Sequence, residues 1–167
     1  MKIREANIYD VEDISRIYAL SWKAAYKGMV PQTYLDNLRE DFWVSAFSDW
    51  ISNEILNVKV ICDEEKMLGC IAYGKSRDEK FEDWGEIVSL YMLPQYYGKG
   101  YGTKLIKNAL NDLEYMGFNK IYLWVLEENF KSKKFYEKNG FISEKEKCSY
   151  FISEKELIHL RFIYKIK

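Results

Sequence analysis

The sequence predicts an α/β (α+β) fold in which a mixed, mostly antiparallel central sheet is flanked by helices on both faces. Strand-like segments alternate with amphipathic helical segments along the 167 residues. A strand, a glycine-rich turn and a long amphipathic helix follow one another in the middle of the chain. No linker or repeat divides the sequence, so we expect one domain spanning residues 1–167.

The elements before the middle of the chain are recognised by their hydrophobic period. Asn7 and Asp10 can cap the first helix, Gly28 ends it, and Pro31 suits the first turn of the second. In order, the elements are a strand at residues 2–6, a helix with apolar positions from Val11 to Ala25, helices over residues 31–38 and 42–50, and a hairpin of strands 58–62 and 67–73 that turns at residues 63–66. The charged stretch 75–85 has no period and is predicted as a loop.

The central unit is a strand at residues 87–93, a glycine-rich turn, and a helix that is stopped by Gly117. Glycines at 98, 100 and 102 allow positive φ angles, and free N–H groups at a helix N-terminus attract anions. The turn therefore predicts a phosphate or pyrophosphate site, and an ordinary glycine-rich strand–helix turn is the alternative. A P-loop is excluded because Leu93 replaces its first glycine, and a dinucleotide fold because Thr103 replaces its third.

The sequence after residue 117 predicts a strand at 120–126, a helix at 129–139 closed by Gly140, and strands at 141–147 and at the end of the chain. The last strand alternates: Ile158, Leu160, Phe162, Tyr164 and Ile166 form an apolar face, and His159, Arg161 and Lys165 a polar face. We expect His159 on the polar face to be solvated, although an imidazole would also suit a base.

Composition and charge exclude several classes of protein. The net charge of −1 gives no basic surplus for binding nucleic acid or an anionic membrane. Without a long apolar run or a signal-peptide core, a cytoplasmic protein is expected. Cys62, Cys70 and Cys148 form no C-x-x-C pair and are expected to be buried free thiols. With only one histidine in addition, no metal site is expected.

Three stretches of the sequence carry a family resemblance. Residues 90–102, LYMLPQYYGKGYG, are similar to an acetyl-CoA loop, and residues 129–141, NFKSKKFYEKNGF, match the pattern Asn-x-x-Ala/Ser-x-x-Phe-Tyr-x-x-x-Gly-Phe. Residues 21–28, SWKAAYKG, followed by Val30 and Pro31, resemble the first-helix segment of one bacterial branch. Together they resemble the GNAT N-acetyltransferase superfamily over essentially the whole chain. The resemblance implies a GNAT-like sheet with acetyl-CoA as co-substrate and no metal.

Two positions depart from the family pattern. Tyr97 stands where the loop usually begins with Gln or Arg, once the loop is registered on Gly100 and Gly102. In the family this position works largely through its backbone, so Tyr97 weakens the match of the loop to the family pattern only a little. Trp124 stands where relatives that acetylate protein N-termini often carry a glutamate, which argues against an N-terminal α-amine as acceptor.

The resemblance also implies binding residues. It places acetyl and pantetheine along the strand, pyrophosphate on the turn, and the pantetheine arm beside the following helix. The implied cofactor-binding residues are Leu90, Tyr91, Met92, Gly98, Lys99, Gly100, Tyr101, Gly102, Thr103, Asn129, Phe135 and Tyr136. Trp22, Tyr26 and the loop 75–84 would line the acceptor pocket, with core packing as the alternative for Trp22.

Catalytic roles follow from the chemistry of amine acylation. The amine must lose a proton before attack, and the departing thiolate must gain one. Tyr136 matches the family's general acid, with a plain core tyrosine as the alternative. Glu86 is the candidate base, acting through water, and a solvated strand-end carboxylate is its alternative.

The sequence thus predicts an acetyl-CoA-dependent N-acetyltransferase that acylates a primary amine of a small molecule or protein. The alternative is a GNAT-fold module that binds acyl-CoA as a sensor without turnover. The acceptor amine and the oligomeric state, including a homodimer through an edge strand, are left open.

Overall fold

The computed structural model describes residues 1–166 and contains one seven-stranded sheet with the order β1-β2-β3-β4-β5-β7-β6. Neighbouring strands are antiparallel except for β4 and β5, which are parallel. The strands are β1 (Lys2–Glu5), β2 (Asn57–Asp63), β3 (Lys66–Lys75), β4 (Gly85–Met92), β5 (Lys120–Leu126), β6 (Ile142–Ile152) and β7 (Lys155–Lys165). The predicted mixed, mostly antiparallel sheet is confirmed.

Five α-helices of the described residues accompany the sheet: α1 (Val11–Ala25), α2 (Gln32–Asn37), α3 (Val44–Ser52), α4 (Tyr101–Tyr115) and α5 (Phe130–Lys138). A short 3-10 turn precedes α1, and Asn7 and Asp10 close it with a reciprocal capping box, as their positions predict. Within residues 1–166, none of the helices is both long and apolar enough to span a membrane.

Helices cover both faces of the sheet, as predicted. On one face, α1 and α3 pack on β2 and β3 around Ile14, Phe47 and Val60. On the other, α4 packs on β3, β4 and β5 around Leu105, Ala109 and Ile121. The apolar period of α4 in the sequence corresponds to the buried side of this helix.

The C-terminal hairpin differs from the prediction in extent and in burial. Strand β6 continues past residue 147 to Ile152, because its second half pairs along β7 from Cys148↔His159 to Ile152↔Lys155. On the polar face of β7, Arg161 is buried and Lys165 is exposed. His159, predicted to be solvated, is only partly exposed, because its ring stacks on Tyr150 with ring centroids 4.7 Å apart. Cys148 is exposed, contrary to the prediction, whereas Cys62 and Cys70 are buried.

The parallel pair β4–β5 opens the sheet. These strands share only the pairs Gly85↔Ile121 and Glu86↔Tyr122, and then they diverge. On its other edge β4 carries a bulge, because Tyr73 of β3 pairs with Ile87 and Ala72 pairs with Ser89, leaving Val88 without a partner. A V-shaped opening therefore separates the C-terminal ends of two central strands.

Candidate active site

The opening between β4 and β5 exposes part of a strand that the fold would otherwise bury. Residues 88–91 of β4 are partly exposed, whereas most of β5 is buried. A central strand normally pairs on both edges, so its unpaired groups need partners from water or a ligand. The backbone of Leu90, Tyr91 and Met92, predicted to hold an acyl donor, lies at this opening.

The glycine-rich turn lies at the open end of β4 and leads into α4. Gly98 and Gly100 have φ angles of +74° and +79°, and Gly100 is the N-cap of the helix. No backbone N–H of residues 98–103 donates a hydrogen bond within the described part of the chain. A Cβ built at Gly98 or Gly100 would meet no atom within 4 Å. These free N–H groups beside open space fit a phosphate or pyrophosphate.

Gly102 serves a different purpose in the same turn. A Cβ at this position would approach Phe135 on α5 to 3.3 Å and Leu90 on β4 to 3.6 Å. Gly102 therefore lets the first turn of α4 pack directly against α5 and β4. The predicted cofactor-binding residues Phe135 and Leu90 are thus brought together by the absence of a side chain.

Helix α5 follows the C-terminal end of β5 and carries Asn129 at its N-terminus and Tyr136 two turns later. Asn129 is 5% exposed, and its Oδ1 accepts a hydrogen bond of 3.1 Å from the backbone N–H of Ser132. Its amide NH₂ group makes no hydrogen bond with residues 1–166. Asn129 therefore caps α5 with one end of its side chain and keeps donors free at the other.

Tyr136 lies between Phe135 and Phe141, with ring centroids 5.1 and 5.7 Å away. Its phenol has no hydrogen-bond partner among the described residues. Burial raises the pKa of Tyr136 above its ordinary value, so the phenol stays protonated at neutral pH. The hydroxyl is therefore a proton donor without a protein acceptor.

Glu86 lies at the closed end of the V, where β4 and β5 still pair. The carboxylate is buried and forms a two-pronged ion pair with Arg77: Nη2 donates to Oε1 at 2.7 Å and Nε to Oε2 at 3.1 Å. The backbone N–H of Arg77 also donates to Oε2 at 3.1 Å. Next to this pair, Tyr122 shares a hydrogen bond of 2.9 Å with Ser76. Glu86 is thus neither solvated nor without partners.

Helix α1 forms an aromatic wall beside the opening. The hydroxyl of Tyr26 lies 3.1 Å from that of Tyr91 on β4, and the hydroxyl of Tyr18 hydrogen-bonds Ser89 on the same strand. Ser21 donates to the carbonyl of Met92 at 2.7 Å and so anchors α1 to the end of β4. The wall therefore contacts residues 89, 91 and 92 of the strand predicted to hold the acyl group.

Trp22 packs within the same wall, with ring centroids 4.8 Å from Tyr26 and 5.5 Å from Trp43. Its indole N–H is buried and has no hydrogen-bond partner within residues 1–166.

Nδ1 of His159 is likewise buried and has no hydrogen-bond partner within residues 1–166. His159 pairs across from Leu126 at the end of β5, and burial lowers the pKa of its imidazole.

The loop 75–84 folds over the α1 face of the sheet. Phe81 and Trp84 pack on Tyr122. The guanidinium carbon Cζ of Arg161, on β7, lies 4.4 Å from the centroid of the Phe81 ring. The predicted loop therefore lies beside the closed end of the V.

Three contacts of the candidate site were absent from the sequence interpretation: the Arg77 side chain on Glu86, Tyr18 on Ser89, and the phenol of Tyr91 on Tyr26. The signal for Arg77 was that it is the one arginine in the loop 75–85. Nothing in the hydrophobic pattern marks Tyr18 or Tyr91, because each occupies an ordinary core position of its helix or strand.

Comparison with known sequences assigns the chain to a family. The sequence model of the acetyltransferase (GNAT) family matches residues 14–141. YuaI, an uncharacterized N-acetyltransferase of Bacillus subtilis, is 30% identical over 129 residues, which are 76% of this chain and 72% of YuaI. The spermidine N(1)-acetyltransferase of Thermoplasma acidophilum is 27% identical over 161 residues, which are 93% of this chain and 97% of that enzyme.

Solved structures share the fold. The PaiA N-acetyltransferase of Thermoplasma acidophilum, in complex with coenzyme A, has a TM-score of 0.80 at 22% identity and covers 99% of this chain and 98% of its own. YncA of Salmonella typhimurium, solved with its cofactor acetyl-CoA, has a TM-score of 0.75 at 18% identity. The match covers 99% of this chain and 94% of YncA. With the family match over most of the sequence, these findings show that the chain belongs to the acetyltransferase (GNAT) family and is an acyltransferase.

Proposed function

We propose that the protein is an acetyl-CoA-dependent N-acetyltransferase that moves an acetyl group directly from the thioester to a primary amine of a small molecule or protein. The observation that carries the proposal is the row of free N–H groups at residues 98–103, located at the open end of the V between β4 and β5. An anion-binding turn next to an unpaired strand edge suits a ligand with a pyrophosphate at one end and an extended amide-containing arm.

The residues that would hold acetyl-CoA come from three elements. The backbone of Gly98, Lys99, Gly100, Tyr101, Gly102 and Thr103 would bind the pyrophosphate, and the strand edge at Leu90, Tyr91 and Met92 would bind the arm. Asn129 would donate its free NH₂ group to an amide of the arm, with Phe135 packing at the turn. Acetyl-CoA supplies the acetyl group, which is activated by its thioester bond.

Tyr136 acts as the proton donor to the sulfur in this proposal. Its phenol has no protein acceptor within residues 1–166, and its raised pKa keeps the proton in place until an anion forms nearby. A developing thiolate is such an anion, so the hydrogen bond strengthens as the carbon–sulfur bond breaks. An interaction made mainly in the transition state raises kcat without tightening ground-state binding.

Glu86 accepts the proton of the amine through a water molecule. Each carboxylate oxygen has two acceptor positions, and the described contacts fill both on Oε2 but one on Oε1. Oε1 therefore retains one position for a water. An acceptor amine would approach from the α1 face, between Trp22 and Tyr26 and the loop 75–84.

A cationic amine is the first acceptor class to test. Spermidine is the acceptor named for the Thermoplasma acidophilum relative, and the loop here carries Asp78, Glu79, Glu82 and Asp83. Aromatic side chains with nearby carboxylates can bind ammonium groups by cation–π and charge interactions. The acceptor class is therefore proposed to include polyamines.

The test is an amine panel with acetyl-CoA, in which free thiol and acetylated product are both measured. The panel holds spermidine, a diamine, amino acids and a lysine peptide. Release of thiol with acetylated amine in equal amounts supports the proposal. Binding of acetyl-CoA without thiol release from any member would instead favour the sensor alternative.

A further inference from the structure

The ion pair between Arg77 and Glu86 joins the loop 75–84 to the closed end of the V. The Glu86 side chain is 6% exposed, and that of Arg77 is 48% exposed. Three donors of Arg77, two from its side chain and one from its backbone, converge on this single carboxylate. Such a fork fixes the plane of the carboxylate as well as its charge.

The arrangement constrains what Glu86 can do. The fork occupies both acceptor positions of Oε2, so only Oε1 retains a free acceptor position. The other titratable groups around the pair are phenols: Tyr122 of β5, whose pKa burial raises to about 12, and Tyr18 of α1. Asp78 is the remaining nearby charge.

We propose that Arg77 is a positioning residue for catalysis: its fork fixes the orientation of the Glu86 carboxylate so that Oε1 alone receives the proton of the amine. Arg77 acts through Glu86 and does not touch the acceptor. The inference rests on the proposed function, because it requires Glu86 to accept the amine proton. It goes beyond that function by assigning a role to a loop residue outside the strands and helices of the V.

The experiment measures kcat/KM for one amine acceptor from pH 6 to 9 in the wild type, Arg77→Met, Arg77→Lys, Glu86→Gln and the double variant Arg77→Met/Glu86→Gln. Arg77→Met should lower kcat/KM about tenfold across this range, with the Kd for acetyl-CoA unchanged, because the carboxylate is no longer held in the orientation that accepts the proton. Arg77→Lys keeps the charge but not the fork, so its loss should be smaller. With the same amine in every profile, the ionisation of the amine itself cancels.

The double variant separates positioning from other roles. If Arg77 acts only through Glu86, adding Arg77→Met to Glu86→Gln should change kcat/KM less than about twofold. If Arg77→Met lowers kcat/KM in the Glu86→Gln background by the same factor as in the wild type, the proposal is overturned. Arg77 would then act directly on the acceptor or on folding. A kcat/KM in Arg77→Met within about twofold of the wild-type value would also overturn it.

Two controls keep the result interpretable. Arg39 makes the same side-on fork on Asp41, at 2.9 and 2.6 Å, but on the exposed surface, so Arg39→Met should leave the pH profile unchanged. Thermal unfolding with and without acetyl-CoA checks that each variant folds and binds the donor. A full rate in Glu86→Gln would overturn the base assigned under the proposed function, whereas a lowered rate in Glu86→Gln with an unaffected Arg77→Met would overturn only the role of Arg77.

Discussion

Replacing Gly100 by alanine tests the proposed anion-binding role of the turn directly. Gly100 has a φ angle of +79°, in the region that favours glycine, and no atom lies within 4 Å of a built Cβ. The methyl group would therefore not clash with the protein. It would stand in the open space of the turn and favour a negative φ, which rotates the adjoining peptides and disperses the N–H groups of residues 98–103. The expected loss is in ligand binding more than in folding.

The magnitude follows from two terms. Alanine at positive φ costs about 1 kcal/mol of folding free energy, or about 2–4 °C in Tm for a chain of this size. In the wild type, acetyl-CoA at about 100 times its Kd should add about 2.7 kcal/mol, or about 5–10 °C. A hundredfold weaker Kd in Gly100→Ala would leave about 0.4 kcal/mol of this stabilisation, which is about 1 °C.

Gly117 provides the matched control. It has a φ angle of +93°, also has no atom within 4 Å of a built Cβ, and lies at the opposite end of the same helix. The 15 residues of α4, a length of about 22 Å, lie between the two glycines. Gly117→Ala should lower the Tm of the free protein by a similar amount and keep the full shift with acetyl-CoA.

The assay is thermal unfolding of both variants and the wild type over a titration of acetyl-CoA. Equal ligand shifts in Gly100→Ala and Gly117→Ala would refute the reasoning, because the loss would then follow backbone strain alone. A wild type that does not respond to millimolar acetyl-CoA would refute the proposed site itself.

Two further predictions concern Tyr136, the proposed proton donor, and Asp10, which caps the 3-10 turn before α1. Tyr136→Phe should lower kcat by about 10²–10⁴-fold in single-turnover assays, with little change in the Kd for acetyl-CoA or in stability, and a loss under tenfold would contradict the acid role. Asp10→Asn should destabilise the fold by about 2 kcal/mol at pH 7 in denaturant unfolding, because Arg4 donates to this carboxylate at 2.7 and 2.8 Å and Asn7 at 2.8 Å. The ion pair lowers the pKa of Asp10, so its stabilisation is complete above the pKa of the unfolded state and is lost as pH falls through that of the folded state. The difference between Asp10→Asn and the wild type should therefore shrink below about pH 4, and a difference that persists there would refute the assignment.

The fold was predictable because its elements are marked by local signals. The bounds of β5 match the prediction residue for residue, and α5 begins directly after the capping residue Asn129 and ends before Gly140. Gly140 has a φ angle of +90°, as a helix-closing glycine requires. Hydrophobic period and capping chemistry depend on neighbours within about four residues, so the sequence alone carries them.

The extension of β6 and the exposure of Cys148 depend on distant partners. Residues 148–152 become strand because β7 offers a long pairing edge, and an edge strand leaves its own side chains uncovered. In the same way, the burial of Arg161 depends on Phe81 and Trp84, which reach it from a loop with no hydrophobic period. Alternation in β7 identified its two faces but not what covers them.

The candidate site was predictable where it depends on backbone and family motif, and not where it depends on side-chain pairing. Glycine spacing located the turn, and the Asn-to-Phe signature located Asn129 and Tyr136. The ion pair of Glu86 with Arg77 connects residues nine positions apart across a loop. Spacing does not specify such a contact, because either residue could equally remain in water.

The V-shaped opening links the stability of the sheet to its ligand. Beyond Glu86, β4 has no ladder with β5, although both are central strands. Backbone groups without partners in a half-buried strand are unfavourable unless water or a ligand satisfies them. A donor arm bound along residues 90–92 would supply those partners, and so would act as an additional strand edge. It follows that acetyl-CoA should protect the amides of β4 and β5 from hydrogen exchange as well as those of the turn, whereas a pyrophosphate alone should protect only the turn.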